Sequence, residues 1–181
     1  AFDGLREAEV FLNDVHVPAA ARLGAEGRGL DPLERACDIA LAALCAEATG
    51  IMQALLDATL EYLRTRRQFG QPIGRFQALQ HRAVDMLIHY EQAKSMTYLA
   101  AIRSRDPGSR ERRRALSAAK VAVGRAGRFV GQQAVQLHGG MGMTDELIVS
   151  HYFKRLTAIE LTLGDTDSHL EQFIGTMRAN G

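Results

Sequence analysis

The sequence predicts an all-α protein, an antiparallel helical bundle preceded by one strand left over from a β-domain. Three observations carry that prediction. From Leu33 onward apolar residues recur at three- and four-residue steps and never return to strict alternation. Breakers at Gly70 and Pro72, Pro107 and Gly108, and Gly139 and Gly140 cut this stretch into helix-length pieces joined by short turns. Only the front of the chain alternates, at Ala8, Val10 and Leu12 within "AEVFLNDVHVP", and that run stops at Pro18.

The elements follow in order. The glycine-spaced linker "RLGAEGRGLDP" separates the strand from a first helix over Leu33 to about Arg67, with Ala36, Ala40, Ala43, Leu44, Ile51, Leu55, Ala58 and Tyr62 on one face. A second helix takes Phe76 to about Arg103, its stripe being Leu79, Ala83, Met86, Leu87, Tyr90, Ala93, Met96 and Ala100. "RDPGS" is a turn with Ser109 as N-cap. The third helix, Arg110 to about Leu137, is crowded with Ala118, Ala119, Ala122, Gly124, Ala126 and Gly127, and small side chains let neighbouring helices approach. A fourth helix runs from Asp145 towards Leu163, and a short fifth follows the "GDTD" break, with Ser168 and Glu171 spaced as a capping box. Residues 1–30 are therefore read as the end of a preceding domain and its linker, and 31–181 as the bundle.

Bulk properties narrow the function. A chain of 181 residues with a formal charge of +1 has room for one core. It lacks the basic excess of a nucleic-acid or anionic-membrane binder. The longest clean apolar run, Ile39 to Ala46, is far short of the ~18 residues of a membrane span. Cys37 and Cys45 stand eight residues apart on one helix, about 12 Å along its axis and too far for a disulfide, so a reducing cytoplasm is expected. The six histidines form no close pair at zinc spacing, and no metal site is expected.

Four stretches hold candidate chemistry. "RSRDPGSRERRR" reads as a solvated turn, although Arg110, Arg112, Arg113 and Arg114 in a first helical turn oppose the helix dipole. In "VQLHGGMGMTDE", three glycines in four positions after Gln136 exceed what a helix cap needs, and bare backbone lets a ligand lie close. In "RTRRQFGQPIG", Arg64, Arg66 and Arg67 complement a helix C-terminus, and an arginine fork also suits a pyrophosphate. "GDTDS" reads either as a break-and-cap device or as an acid-bearing turn.

The order of "RRQFG", "FQALQHRAVDM", "AVQLHGGMGM" and a final glycine–threonine turn resembles the C-terminal part of the acyl-CoA dehydrogenases, an FAD-dependent family, and the likeness covers essentially the whole chain. The front segment is similar to the last strand of that family's middle β-domain. "FQALQHR", "YEQAKSM" and "GDTDSHL" resemble the small subunits of two-subunit members that act on pimeloyl-CoA-type dicarboxylates or sterol side chains. By position, the resemblance implies that Arg66, with Gln68 and Phe69, meets the FAD pyrophosphate, and that Gln136, Gly139 and Gly140 cradle its adenosine half. Those contacts would go to the flavin of a neighbouring subunit, in a homo- or hetero-oligomer. Thr166 matches the threonine of the family's Glu-Gly-Thr turn beside the flavin.

The implied reaction is α,β-desaturation of an acyl-CoA thioester, with an electron-transferring flavoprotein as final acceptor, and it needs a carboxylate base. Both positions where the family carries that base are empty of one here: Gly164 and Ala40. The expectations are a base-lacking subunit beside a catalytic partner, an active homo-oligomer using Asp165 as a displaced base, or a helical scaffold that no longer binds flavin.

Overall fold

A computed structural model describes residues 2–178. Five helices account for most of it: α1, Leu30–Thr65; α2, Gln77–Arg103; α3, Ser109–His138; α4, Ile148–Leu161; and α5, Thr166–Arg178. Among the described residues the only strands are β1, Arg67–Gln68, and β2, Gln71–Pro72, paired antiparallel with Gln68 opposite Gln71. α3 lies at the centre and packs against each of the other four helices.

The core forms where the apolar faces of α1 to α4 meet. Met52 and Leu55 of α1, Met86 and Ala93 of α2, Val123, Val130 and Ala134 of α3, and Val149 and Ile159 of α4 are buried there. Glycines of α3 set the closeness of that packing. A Cβ at Gly124 would stand 2.6 Å from Thr166 Oγ1, and one at Gly131 would stand 3.0 Å from the Phe153 ring. The small-residue third helix therefore does what its composition suggested.

Several sequence expectations shift. The strand over Ala8–Leu12 does not form: Val10 and Phe11 are exposed and no ladder is present, because a strand without a partner leaves its N–H and C=O groups to solvent. α1 starts at Leu30, passing through Asp31 and Pro32, since proline is tolerated in a first turn whose N–H groups have no helical partner anyway. Its buried face is also rotated. Leu41, Cys45, Ala48, Met52, Leu56 and Leu63 point inward, while Ala36, Ala40 and Ala43 are exposed. An alanine-rich helix offers several equivalent stripes, and the tertiary contacts select one. α1 is long and apolar enough by composition to cross a membrane, yet it carries Asp38 and Glu47, both ion-paired to other helices.

The caps differ too. Ser109 is the first residue of α3 rather than its N-cap, which is Gly108. α4 starts at Ile148 rather than Asp145. α5 is capped by Asp165, whose carboxylate accepts the Ser168 N–H at 2.8 Å, not by a Ser168–Glu171 box.

The basic run is not a solvated turn either. Arg112 is buried, donates to Asp38 at 2.6 Å and to the Asp106 carbonyl at 2.8 Å, and so ties α3 to α1 and closes its own entry turn. Arg113 pairs with Glu34, Arg110 donates to the Thr176 carbonyl at 2.6 Å, and the Arg114 guanidinium lies 5.5 Å from the centre of the Phe173 ring. The arginines that oppose the α3 dipole are used to bind α1 and α5.

Candidate functional site

Two turns carry the residues singled out by the sequence. The first region is the end of the bundle where α1 and α3 both terminate. Tyr62, in the last turn of α1, stacks on His138, the last residue of α3, with ring centres 4.5 Å apart. His138 itself is held by donating Nδ1–H to the Ala134 carbonyl at 2.8 Å. This stacking sets Arg66, Gln68 and Phe69 at the same end of the bundle as Gln136, Gly139 and Gly140.

The side chains of that end have few partners. Arg66 is the C-cap of α1; its backbone N–H closes on the Tyr62 carbonyl, and its exposed guanidinium makes no hydrogen bond among the described residues. Phe69 and Gly70 form the two-residue loop of the β1–β2 hairpin, with φ of 53° and 79°. Positive φ at both positions is what a type I′ turn requires. Phenylalanine tolerates it poorly, yet the residue is 90% exposed, its ring in a T-shaped contact with Phe76 at 6.0 Å between centres.

The glycines here divide by cause. Gly139 has φ 61° as the helix C-cap, and Gly142 presses on α3, where a Cβ would stand 2.6 Å from the Val135 carbonyl. Gly140 has neither reason: its φ is not positive and nothing lies within 4 Å of a Cβ built there. The chain's own fold does not require glycine at 140.

The second region is the α4–α5 turn, Thr162–Thr166. Gly124, against which Thr166 packs, lies twelve residues before Gln136 on α3, about 18 Å along the axis. Thr166 is therefore not brought together with the other predicted cofactor-binding residues, and shares its turn with Gly164 and Asp165. Leu163 and Gly164 both have positive φ, 59° and 96°. Four side chains brace them. Lys120, only 1% exposed in the middle of α3, donates to the carbonyls of Ile159, Glu160, Thr162 and Gly164 at 2.8 to 2.9 Å. His169 donates Nε2–H to the Leu163 carbonyl at 2.9 Å, leaving Nδ1 to accept the Ser117 hydroxyl at 3.2 Å. Glu160 accepts the Thr166 N–H at 3.0 Å, and Asp165 accepts that of Ser168.

The charges follow this bracing. Burial draws the Lys120 ammonium below the ordinary lysine value, against the attraction of Cys45, Glu160 and Asp165. Burial likewise lowers His169, which favours the neutral ring its hydrogen bonds need. Hydrogen bonds from Ser168 hold the Asp165 carboxyl below the usual range. Cys45, buried beside Lys120, is pushed up to about 11 by desolvation. A cleft of about 490 Å³ opens beside the turn, lined among others by Arg125, Arg128, Glu160, Asp165 and Thr166.

Ala40 lies exposed on α1, and the carboxylates around it are committed elsewhere: Glu34 to Arg113, Asp38 to Arg112, and Glu47 to Arg155 at 2.6 and 2.8 Å. Gly164 leaves little room for a side chain, since a Cβ would stand 3.0 Å from His169 Nε2. Among the described residues no His, Cys, Asp and Glu cluster suits a metal ion. Sequence reasoning missed Lys120, Glu160, His169 and Tyr62. Lys120 alone left a signal, a charge set between Ala119 and Val123 on a face otherwise made of small and apolar residues.

Residues 27–176 match the family described as acyl-CoA dehydrogenase, C-terminal domain, and the chain belongs to the acyl-CoA dehydrogenase family. It is 34% identical over 173 residues to the probable acyl-CoA dehydrogenase YngJ of Bacillus subtilis (strain 168), covering 94% of this chain and 44% of that protein. Its fold is similar to that of PigA with FAD and proline, with a TM-score of 0.83 and 27% identity over 93% of this chain and 44% of that one. It is also similar to a variant of the Tcur3481-Tcur3483 steroid ACAD, with a TM-score of 0.74 and 30% identity over 79% of this chain and 39% of that one. The chain thus spans less than half the length of these relatives.

Proposed function

We propose that this chain is the FAD-contacting helical domain of an acyl-CoA dehydrogenase that desaturates an acyl-CoA thioester at the α,β bond, and that it serves as a base-lacking subunit beside a catalytic partner. The observation that carries the second half is the absence of a carboxylate at both positions where the family carries its base. Gly164 and Ala40 have none, and Glu34, Asp38, Glu47, Glu160 and Asp165 are each held by an arginine or a backbone N–H.

The residues present fit FAD on their own geometry. Arg66 offers an unengaged guanidinium, Phe69 an exposed ring in a strained turn, and Gly140 a bare backbone that the chain itself does not explain. Arg66 would hold the pyrophosphate, Gln68 and Phe69 would flank it, and Gln136, Gly139 and Gly140 would receive the adenosine half. Bound FAD would supply the hydride acceptor. Thr166, fixed by Glu160 and by its contact with Gly124, would stand at the second turn beside the flavin. The separation of about 18 Å between the two regions along α3 suits contacts shared across an oligomer. An electron-transferring flavoprotein is the proposed acceptor, and free Cys37 and Cys45 agree with a cytoplasmic setting.

The alternative in which Asp165 acts as a displaced base has its cap bond against it, because a carboxylate stabilised by N–H donors is a weaker base. The scaffold alternative leaves Gly140 and the strained Phe69 without a reason. The full-length protein, purified alone and with the product of its neighbouring gene, should show acyl-CoA bleaching of the flavin only in the pair. Full activity from the chain alone would remove the partner. A colourless protein in every pairing would favour the scaffold.

A further inference from the structure

We propose that Lys120 is the positioning residue of the α4–α5 turn, its buried ammonium holding the Thr162 and Gly164 carbonyls and so fixing where Asp165 and Thr166 stand. The inference rests on the reading that this turn lies at the flavin.

The geometry asks for more than a helix cap. The last carbonyls of α4 need donors, and Lys120 supplies them at Ile159 and Glu160. The same ammonium reaches past the helix to Thr162 and Gly164, on either side of Leu163. Three N–H donors serve four carbonyls, so one donor is shared. The carbonyl between them, that of Leu163, is taken by His169 of α5. Three successive peptide carbonyls are thus each bound by a side chain of another element or of the following helix.

This matters because the backbone there is under strain. Leu163 occupies the left-handed region with a branched side chain, and such a conformation persists only when its surroundings over-determine it. Filling the site with an apolar side chain would bury as well at lower electrostatic cost, since a buried ammonium is expensive. What an apolar side chain could not do is aim four carbonyls at one point. The turn's next two residues, Asp165 and Thr166, then leave it in a fixed direction and start α5 against Gly124.

The test uses the full-length protein with the subunit it purifies with, carrying Lys120→Met. Amide hydrogen exchange read by mass spectrometry reports the turn, and visible circular dichroism of bound FAD reports its surroundings without any substrate. The expected result is exchange about tenfold or more faster in the peptide spanning 159–168, unchanged exchange in α2, and an altered flavin dichroism at undiminished FAD content. Wild-type exchange in that peptide overturns the proposal. Faster exchange with unchanged flavin dichroism also overturns it, because Lys120 would then brace the fold without positioning anything. Should Lys120→Met not accumulate folded, Lys120→Gln, shorter and with only two neutral donors for the four carbonyls, should still speed exchange over 159–168 severalfold and alter the dichroism, and wild-type exchange and dichroism in that variant overturn the proposal. A wild-type protein that holds no FAD in any pairing defeats the functional reading instead, while the exchange comparison still decides whether Lys120 fixes the turn.

Discussion

The hairpin after α1 and the turn before α5 share a backbone device and use it in opposite ways. Each places a non-glycine residue and then a glycine at positive φ, Phe69–Gly70 in one and Leu163–Gly164 in the other. In the α4–α5 turn Lys120, His169, Glu160 and Asp165 bind the backbone around that pair, so the chain itself accounts for the strain. In the hairpin the strained residue holds its ring in solvent, Arg67 alone reaches the loop backbone with its side chain, at the Gly70 carbonyl 3.2 Å away, and the Arg66 guanidinium has no hydrogen bond among the described residues. The closed turn is braced by four side chains from three helices and the turn itself, whereas the hairpin is held by its two-strand pairing and one arginine bond. The difference supports the proposal that the hairpin, at the same end of the bundle as Gly140, is where a ligand or second subunit binds.

The largest expected break in this contrast is Lys120→Ala, which removes the ammonium and leaves four carbonyls in a cavity. It should cost about 3–5 kcal/mol in urea unfolding. Arg66→Ala at the open turn should stay within about 0.5 kcal/mol of the parent while lowering the FAD retained by the assembled protein. Comparable destabilisation from both would erase the distinction.

Changing a single Cβ comes next. Gly164→Ala should destabilise by about 1–3 kcal/mol, because φ is 96° and His169 stands close. Phe69→Gly should fall within about 1 kcal/mol of neutral, relief of the left-handed strain offsetting the lost edge contact with Phe76.

Protonation gives a further step. The His169 pKa is lowered in the fold by burial, so its contribution is present above the unfolded value near 6.5. That contribution is lost as pH falls below it towards the lowered folded value. His169→Gln, which keeps an N–H donor for Leu163, should flatten the pH dependence of the melting temperature in that window.

The smallest stability effect separates two roles of Asp165. Asp165→Asn should keep the α5 cap, since asparagine caps as well as aspartate, while Asp165→Ala should lower the melting temperature measurably. Desaturation by the assembled enzyme should survive Asp165→Asn. Its abolition at an unchanged melting temperature would make Asp165 the base after all.

Helix number, helix order and the four breaks between helices were legible in the sequence, because periodicity and glycine or proline breakers are local properties. The motif residues were legible as residues and not as a place. Arg66 and Gln136 are brought to one end by the stacking of Tyr62 on His138, a contact between positions 76 residues apart that no spacing announces. The rotation of α1 was hidden because alanine marks a buried and an exposed face alike. The clustered arginines looked solvated because their partners, Asp38, Glu34 and the end of α5, lie far along the chain.

By itself, then, the sequence determined a five-helix order, a glycine-rich end to α3 and the absence of a carboxylate at Gly164 and Ala40. Only the tertiary structure decided which carboxylates remain free and which turn is closed. Those depend on pairing across α1, α3, α4 and α5, where one buried ammonium satisfies carbonyls from residues 159 to 164 that lie about 40 positions away. Hydrogen bonds are satisfied in space, and local pattern carries no record of which distant group will satisfy them.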